Sequence, residues 1–303
     1  MYDLIIIGAG PAGLTAGIYA AREGSQVLIL EKTAVGGQAV WSSLIENYPG
    51  FPSGISGRDL TAKMKEQAEK AGTRIISGQV TGLKKEGEHR FFISAGDIYE
   101  AKAVIVATGA QPKKIDVPGE KELIGRGVSY CATCDGPFFR NRTVAVIGGG
   151  NTAVHEALFL SRLAAKIFLV HRREALRASQ ALQEKLFAES RIEIILNSIV
   201  QEISGTDAVK SIRLQNLKNC AEKELPVDGI FVLVGTQPNT DFLPPEIKVD
   251  NHKYIITDET LETSMAGVFA CGDCRQKVLR QVVTACAEGA LAVSSAQKYL
   301  EKL

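Results

Sequence analysis

The feature that most constrains the fold is a glycine-rich turn that occurs twice, each time directly after a short apolar run. The first turn follows residues 3–7 and has the spacing G-x-G-x-x-G, with its glycines at Gly8, Gly10 and Gly13. The second turn follows residues 143–147 and has the spacing G-x-G-x-x-A, at Gly148, Gly150 and Ala153. In such turns the first glycine permits a tight bend, the second lets the backbone approach a pyrophosphate, and the third small residue lets a helix pack closely on the strand. We therefore predict an α/β chain with two Rossmann-like dinucleotide-binding domains, each a three-layer ββα arrangement.

The second predicted strand ends in a negative charge in the first domain and in positive charges in the second domain. Residues 26–30 lead into Glu31, at the position where a carboxylate accepts hydrogen bonds from ribose hydroxyls. Because a carboxylate repels a 2′-phosphate, this site suits FAD or NAD. Residues 166–170 lead instead into a basic cluster, His171, Arg172 and Arg173, with Arg177 about one helical turn further on. Arginines pair well with phosphate oxygens, so the second site favours NADPH over NADH.

A Cys-x-x-Cys pair, Cys131 and Cys134, lies between the two glycine-rich turns and is followed directly by Asp135. Two thiols at this spacing can close and reopen a disulfide, and a flanking acid can supply or remove the proton that exchange requires. Such a pair between two dinucleotide sites predicts that electrons pass from one nucleotide, through another, to a dithiol.

The composition is that of an ordinary soluble globular protein. Hydrophobic residues make up 45% and charged residues 23% of the 303 positions, and a net charge of +1 argues against nucleic acid as a partner. No apolar run approaches the ~20 residues of a membrane span, and the first strand begins too early for a signal peptide, so we expect a cytoplasmic location. Six cysteines are too few for a disulfide scaffold, and the four histidines form no metal-ligand cluster.

The two domains are predicted to be nested. We expect residues 1–112 and 246–303 to form one discontinuous domain, because the C-terminal segment is short for an independent core. Residues 113–245 would form an inserted domain that carries the Cys-x-x-Cys pair. The chain is expected to cross between the domains near Gln111-Pro112 and near 237–240.

In the order of its motifs the chain resembles the low-molecular-weight thioredoxin reductases. The match spans essentially the whole length and includes residues 8–13, 36–38, 131–135, 148–153, 171–177, 272–273 and 280–281. The larger glutathione-reductase-like branch fits poorly, because its cysteine pair comes close behind the first turn and no cysteine occurs here before Cys131. The resemblance implies a homodimeric oxidoreductase that binds FAD in the discontinuous domain and NADPH in the inserted one, and that reduces the disulfide of thioredoxin.

The resemblance also implies a role for each motif. The residues implied to hold FAD are Gly8, Gly10, Gly13, Glu31, Gln38, Asn47, Asp273 and Gln281. The residues implied to hold NADPH are Gly148, Gly150, Ala153, Arg172, Arg173 and Arg177. In the first set, Gln38, Asn47 and Gln281 would lie near the isoalloxazine ring, and Asp273 would bond the ribityl or phosphate region.

For the chemistry, the resemblance implies that Cys134 faces the flavin, that Cys131 attacks the disulfide of the partner, and that Asp135 donates and accepts the proton. NADPH and the dithiol belong to one domain and both need the same face of the flavin. The resemblance therefore also implies that the inserted domain rotates about the two crossings.

Several alternatives stay open from the sequence alone. The same chemistry on another small dithiol protein, such as a glutaredoxin-like one, would leave the same motifs. A flavin thiol oxidase that passes electrons to oxygen is disfavoured by the three arginines, and an electron donor other than NADPH also remains open. A second Cys-x-x-Cys, Cys271 and Cys274, departs from the residues usual in the family. We expect these two thiols to fill tight positions rather than to form an auxiliary redox pair.

Overall fold

The computed structural model describes residues 1–42 and 44–303, which divide into two units. The first unit comprises Met1–Gln111 and Gln237–Leu303, and the second comprises Pro112–Thr236. The chain thus returns to the first unit before the expected residue 246. The physical reason is a pair of hydrogen bonds between Asn239 and Thr108. The Asn239 side-chain amide donates to the Thr108 carbonyl at 2.8 Å, and the Thr108 hydroxyl donates to the Asn239 carbonyl at 2.8 Å.

Helices and strands both occur in each unit, and the strands outnumber the helices. The helices are Pro11–Arg22 (α1), Gly57–Ala71 (α2), Ala132–Asp135 (α3), Asn151–Leu160 (α4), Gln180–Phe187 (α5) and Val282–Leu300 (α6). The strands are Tyr2–Ile7 (β1), Val27–Glu31 (β2), Arg74–Ser77 (β3), Gly82–Glu86 (β4), Arg90–Ala95 (β5), Asp97–Val106 (β6), Ala110–Pro112 (β7), Val128–Ser129 (β8), Thr143–Ile147 (β9), Lys166–Val170 (β10), Ile192–Ile195 (β11), Ser198–Gly205 (β12), Val209–Asn216 (β13), Glu222–Pro226 (β14), Gly229–Val232 (β15), Thr236–Pro238 (β16) and Val268–Ala270 (β17).

The sheet of the first unit has the order β3-β2-β1-β6-β5-β4, and β17 pairs with the second half of β6. Strands β1, β2, β3, β6 and β17 are parallel, whereas β4 and β5 form an antiparallel extension. Alternate residues of β1 enter two different cores, Leu4 and Ile6 on the helical face and Ile5 and Ile7 on the opposite face. Burial on both faces explains why this strand is a continuous apolar run.

Helices α1 and α6 pack closely on the helical face. A Cβ atom added at Gly289 of α6 would lie 2.3 Å from the carbonyl oxygen of Ala12 in α1. This backbone approach requires glycine at position 289, and it places the amino end of α6 beside the first glycine-rich turn.

The second unit has a five-stranded parallel sheet of order β11-β10-β9-β15-β8. One face carries the helices, whose core includes Ala157 and Leu160 of α4. The other face carries the antiparallel sheet β12-β13-β14, whose core includes Ile212 and Leu225. Helix, parallel sheet and second sheet are the three layers predicted, so the fold class is confirmed.

Strand β6, Asp97–Val106, is long and changes partner along its length, because its first half pairs with β5 and its second half with β1 and β17, so residues 97–106 are not recognisable as one strand from local pattern alone. In residues 1–42 and 44–303, none of the helices is both long enough and apolar enough to pass through a lipid bilayer.

Candidate functional site

The first glycine-rich turn connects β1 to α1 with almost no spare volume on its protein side. An added Cβ would lie 2.5 Å from the Ala107 carbonyl oxygen at Gly8 and 1.9 Å from the Gly8 carbonyl oxygen at Gly13. Gly10 differs, since its nearest contact would be the Gly37 Cα at 4.0 Å. Gly10 is also the N-cap of α1, and no side chain caps that end of the helix. The amino end of α1 is therefore left without a side-chain cap beside the open space at Gly10, a position that suits a phosphate although Pro11 itself has no N–H.

Glu31 closes one side of this turn. Its carboxylate accepts the Ala9 N–H at 2.7 Å through Oε2 and the Thr33 N–H at 2.9 Å through Oε1. The side chain is buried at the end of β2, as the sequence pattern predicts for a residue at the ribose position. Because a carboxylate has about four acceptor directions, it keeps capacity for hydroxyl donors.

The segments that carry Gln38, Asn47 and Gln281 meet around the same turn. The Gly36 N–H donates to the Ala9 carbonyl at 2.8 Å, which places the short 3₁₀ helix of Gln38 against the turn. The Asn47 side-chain amide donates to Gln281 Oε1 at 3.1 Å, so these two predicted residues, far apart in sequence, are in contact. Gln281 is also the N-cap of α6 and forms a capping box there.

Asp273 lies in a tight turn after β17 and is held beside a cluster of charged groups. Its Oδ1 atom is buried and has no hydrogen-bond partner within residues 1–42 and 44–303, and the Lys277 ammonium lies 3.8 Å away. Burial raises the pKa of Asp273, while Lys277 opposes that shift. Glu288 neutralises the neighbouring cations, with Oε1 3.1 Å from Lys277 Nζ and 3.0 Å from Arg275 Nη1. A buried oxygen without a partner marks a place where a bound ligand would donate a hydrogen bond.

The second glycine-rich turn repeats this design between β9 and α4. An added Cβ at Gly148 would lie 2.5 Å from the Leu233 carbonyl oxygen, and one at Gly149 would lie 2.3 Å from Nδ1 of His171. Gly150, the N-cap of α4, has nothing within 4 Å of the added atom, and no side chain caps the helix. Open space again occurs at the second glycine of the motif, where a pyrophosphate would approach.

The basic cluster after β10 is fastened to this second turn. The Arg177 N–H donates to the Gly149 carbonyl at 2.7 Å, and the Ser179 N–H donates to the Asn151 side chain at 2.8 Å. Arg172, Arg173 and Arg177 are exposed, and their guanidinium groups make no hydrogen bond or ion pair with the described residues. Three exposed cations beside a phosphate-type turn, without a partner among the residues that the structure describes, have the charge that suits an anion.

His171 is the uncharged member of the basic cluster. It is buried under Gly149, and burial lowers its pKa, with the neighbouring Arg177 lowering it further. The imidazole is therefore neutral at physiological pH and adds no positive charge to the arginines.

The cysteine pair forms a disulfide at the amino end of α3. Cys131 is the N-cap of this one-turn helix, and the Cα atoms of Cys131 and Cys134 are 5.3 Å apart. The Ser129 hydroxyl donates to Asp135 Oδ2 at 2.6 Å and accepts the Cys131 N–H at 3.1 Å. Burial raises the pKa of Asp135, while the hydrogen bond from Ser129 opposes that shift. A carboxyl group with a raised pKa, directly after a redox disulfide in the chain, is better suited than an ordinary aspartate to donating a proton to a leaving thiolate.

Glu156 is a site residue that the sequence did not reveal. It extends from α4 and its Oε2 accepts the Ala132 N–H, the first amide of α3, at 2.7 Å. Burial raises its pKa, and the Ala132 N–H opposes the shift. Glu156 thus connects the helix that starts at the second turn with the helix that carries the dithiol.

The second cysteine pair has the packing role expected of it. Cys271 and Cys274 are free thiols and are completely buried, and Cys274 Sγ lies 3.4 Å from the Val106 carbonyl oxygen. Burial raises the pKa of Cys274 to about 11 and that of Cys271 well above its ordinary value. Thiols in this state are poor nucleophiles at neutral pH.

Comparisons with known proteins agree over the full length of the chain. The family model for pyridine nucleotide-disulphide oxidoreductases matches residues 2–289. The thioredoxin reductase of Listeria innocua is 46% identical over 305 residues, which cover 100% of this chain and 95% of that protein. That of Treponema pallidum is 45% identical, covering 100% and 98%. The crystal structure of thioredoxin reductase from Streptococcus pyogenes superposes with a TM-score of 0.95 at 44% identity, covering 100% of this chain and 99% of that one.

Proposed function

The chain belongs to the pyridine nucleotide-disulphide oxidoreductase family, and on that premise we propose that it is an NADPH-dependent flavoprotein that reduces the disulfide of thioredoxin. One observation carries the proposal. The Cys131–Cys134 disulfide and its neighbour Asp135, whose pKa is raised by burial, lie in the same unit as a nucleotide-type turn flanked by exposed arginines. The relatives that match over the full length are named thioredoxin reductases, which supports thioredoxin as the substrate.

FAD is the group we assign to the first unit. The residues fit it, because the amino end of α1 is uncapped, the space at Gly10 is open, and Asp273 Oδ1 is buried without a hydrogen-bond partner from the described residues. The residues that would hold it are Gly8, Gly10, Gly13, Glu31, Gln38, Asn47, Asp273 and Gln281. When bound, the flavin would supply two-electron chemistry between a nicotinamide and a disulfide.

NADPH is the group we assign to the second unit. The open side of Gly150 and the uncapped end of α4 fit a pyrophosphate, and the three arginines fit a 2′-phosphate. The residues that would hold it are Gly148, Gly150, Ala153, Arg172, Arg173 and Arg177. An acidic residue at the end of β10 would have favoured NADH instead.

The dithiol then acts on the partner by thiol–disulfide exchange. The Cys131 thiolate attacks one sulfur of the partner disulfide, which forms a mixed disulfide and releases a partner thiolate. The Cys134 thiolate attacks the Cys131 sulfur, which closes the Cys131–Cys134 disulfide and releases the second partner thiolate. Asp135 gives its proton to a departing thiolate and takes a proton back when the pair is next reduced.

We expect Gly13→Ala to lower the stability of the fold and Gly10→Ala to lower FAD binding. At Gly13 the added methyl would meet a carbonyl oxygen at 1.9 Å, so the free energy of unfolding should fall by about 3 kcal/mol. At Gly10 the methyl would fit the protein but occupy the pyrophosphate path. That variant should fold to within about 1 kcal/mol of the parent and lose bound FAD. Denaturant unfolding of the flavin-free proteins and the flavin content of the purified proteins give the two readouts. Full FAD retention by Gly10→Ala would refute this assignment.

Asp135→Asn should slow dithiol exchange about 100-fold and remove a pH dependence of stability. Burial raises the pKa of Asp135, so the folded state holds its proton more tightly than the unfolded chain does. Its stabilising contribution is complete below the unfolded pKa, about 4, and disappears as the pH rises through the higher folded pKa. Denaturant midpoints of the two proteins should therefore converge at low pH and separate in favour of the variant as the pH increases. The exposed Asp207→Asn is the matched control, and an identical profile for both variants would contradict the assignment.

A homodimer is part of the proposal. Apolar side chains on α6 and just before it are exposed, and they are Val278, Leu279, Val283 and Leu291. Exposed apolar side chains of this size favour association with a second copy. Sedimentation equilibrium should give twice the mass of the chain, and a monomeric mass would remove this part of the proposal. Rotation of the second unit and a cytoplasmic location remain predictions from the sequence.

The whole function is tested by anaerobic titration. NADPH added to the purified holoenzyme should bleach the flavin absorption at low concentration, and oxidised thioredoxin should restore it. Bleaching by NADH alone would refute the assignment of the arginines. Bleaching by NADPH with no recovery on adding thioredoxin, but recovery with a glutaredoxin-like protein, would replace the substrate and leave both cofactor assignments.

A further inference from the structure

The amino end of the dithiol helix is occupied by a carboxylate from a different helix. Glu156 Oε2 accepts the Ala132 N–H at 2.7 Å; burial raises the pKa of Glu156, and the hydrogen bonds from Ala132 and from the amide and hydroxyl of Thr133 oppose that shift. The N–H of Cys134, the residue after Thr133, donates to Cys131 Sγ at 3.2 Å. The amides of this first turn are therefore divided between a carboxylate and one sulfur.

The position of Glu156 relative to the dithiol is fixed by tight packing of α3 on α4. An added Cβ at Gly136, at the end of α3, would lie 3.0 Å from Leu160 and 3.2 Å from Phe159 of α4. Ala132 and Ala157 are buried in the same core. Because neither helix has room to slide, the carboxylate stays beside the Cys131 end of α3.

This arrangement opposes the usual effect of a helix on a Cys-x-x-Cys pair. Free amides at a helix amino end stabilise the thiolate of the first cysteine and lower its pKa. A dithiol whose reduced form is stabilised in this way becomes an oxidant. Here the first amide is used by Glu156, whose negative charge disfavours a second anion at Cys131. Two further titratable groups lie in this region, Asp135, bound by the Ser129 hydroxyl, and the exposed His155 on α4.

We propose that Glu156 is a positioning residue that keeps the Cys131–Cys134 couple reducing, by holding the first-turn amides of α3 and opposing a thiolate at Cys131. The inference rests on the proposed function only in that the pair is redox-active, and it does not require thioredoxin as the partner.

The test is the equilibrium of the pair with dithiothreitol in the holoenzyme and in Glu156→Gln. The glutamine keeps the volume and an acceptor oxygen for Ala132 N–H but removes the charge. In each exchange dithiothreitol gives two electrons and two protons to the protein disulfide and closes its own cyclic disulfide. After anaerobic equilibration and alkylation, mass spectrometry of the tryptic peptide 127–140 counts the thiols, because it contains Cys131 and Cys134 and no other cysteine.

We expect the equilibrium constant for reduction of the pair to rise about tenfold in Glu156→Gln, which is ~30 mV towards a more oxidising couple. The midpoint of the pH profile for Cys131 alkylation should fall by about one unit. Glu184→Gln, on the exposed side of α5, makes the same charge change in the same unit and should leave both quantities unchanged.

A purely structural role for Glu156 predicts a different pattern. In that case Glu156→Ala would lower the melting temperature, and Glu156→Gln would keep the parent equilibrium constant and pH profile, which would overturn the proposal. An equal shift in Glu156→Gln and Glu184→Gln would also overturn it, because the effect would then be one of net charge. Failure of thioredoxin to reoxidise the enzyme, with the Glu156→Gln shift intact, would reject the partner and keep this inference.

Discussion

Replacing Cys134 by serine should abolish thioredoxin reduction, by at least about 10³-fold, while NADPH still bleaches the flavin at the parental rate. The expected loss is large because a single thiol can form a mixed disulfide but cannot close the Cys131–Cys134 bond that releases the reduced partner. Bleaching should survive because the residues assigned to NADPH and FAD do not include either cysteine. Stopped-flow absorption measures bleaching, and oxidation of NADPH in the presence of thioredoxin measures turnover.

Cys220→Ser is the matched control for this variant. Cys220 is a free, exposed thiol in the same unit, in the connection between β13 and β14, so its loss should leave both rates unchanged. Residual thioredoxin reduction above about 1% in Cys134→Ser would contradict the mechanism. It would mean that electrons reach the partner by another route, for which the buried Cys271–Cys274 pair would have to be examined.

Removing two of the arginines should change cofactor choice rather than catalysis. In the double variant Arg172→Ala/Arg177→Ala we expect the KM for NADPH to rise about 100-fold with little change in kcat. Each hydrogen bond from a guanidinium to a phosphate contributes about 1.5–3 kcal/mol, and two are lost. The KM for NADH should change by less than about threefold, because NADH has no 2′-phosphate for these side chains to bind.

The control for the arginine variant is Arg162→Ala. Arg162 is exposed in the same unit, and its guanidinium has no ion-pair partner within residues 1–42 and 44–303, so it tests the effect of losing a nearby positive charge. Its KM for NADPH should stay within about twofold of the parent. If the double variant raises the KM for NADPH and NADH equally, the arginines support the turn and do not select the 2′-phosphate.

The parts of the fold that follow from local chemistry could be predicted from sequence. Strand β9 has the bounds of the apolar run at residues 143–147, and helix α2 has clear local signals at both ends. Helix α2 shows this well, since the Ser56 hydroxyl accepts the Asp59 N–H at its start and Gly72 ends it in the left-handed conformation. The glycine-rich turns were predictable for a related reason, since Gly8, Gly13 and Gly148 are each required by a close backbone contact, whereas Gly10 and Gly150 border open space.

The parts that depend on contacts between distant segments could not be predicted in this way. Helix α5 and strand β14 have weak local patterns, and β14 forms through its pairing with β13. Glu156 follows the same logic. Nothing in the sequence around Glu156 shows that the N–H of Ala132, on a different helix, needs a hydrogen-bond acceptor. The signal was a glutamate next to the small buried residue Ala157 on a helix face that is otherwise apolar.

The nested chain path also determines the order in which the molecule is completed during synthesis. The second unit is continuous from Pro112 to Thr236, so all of its residues are synthesised before β17 and α6. The first unit cannot close its core until α6 docks Gly289 against Ala12. We therefore expect the unit that carries the dithiol to be protease-resistant in nascent chains stalled after residue 270, while the first unit is still cleaved. The glycine-rich turn made first along the chain would then be the last to become a binding site.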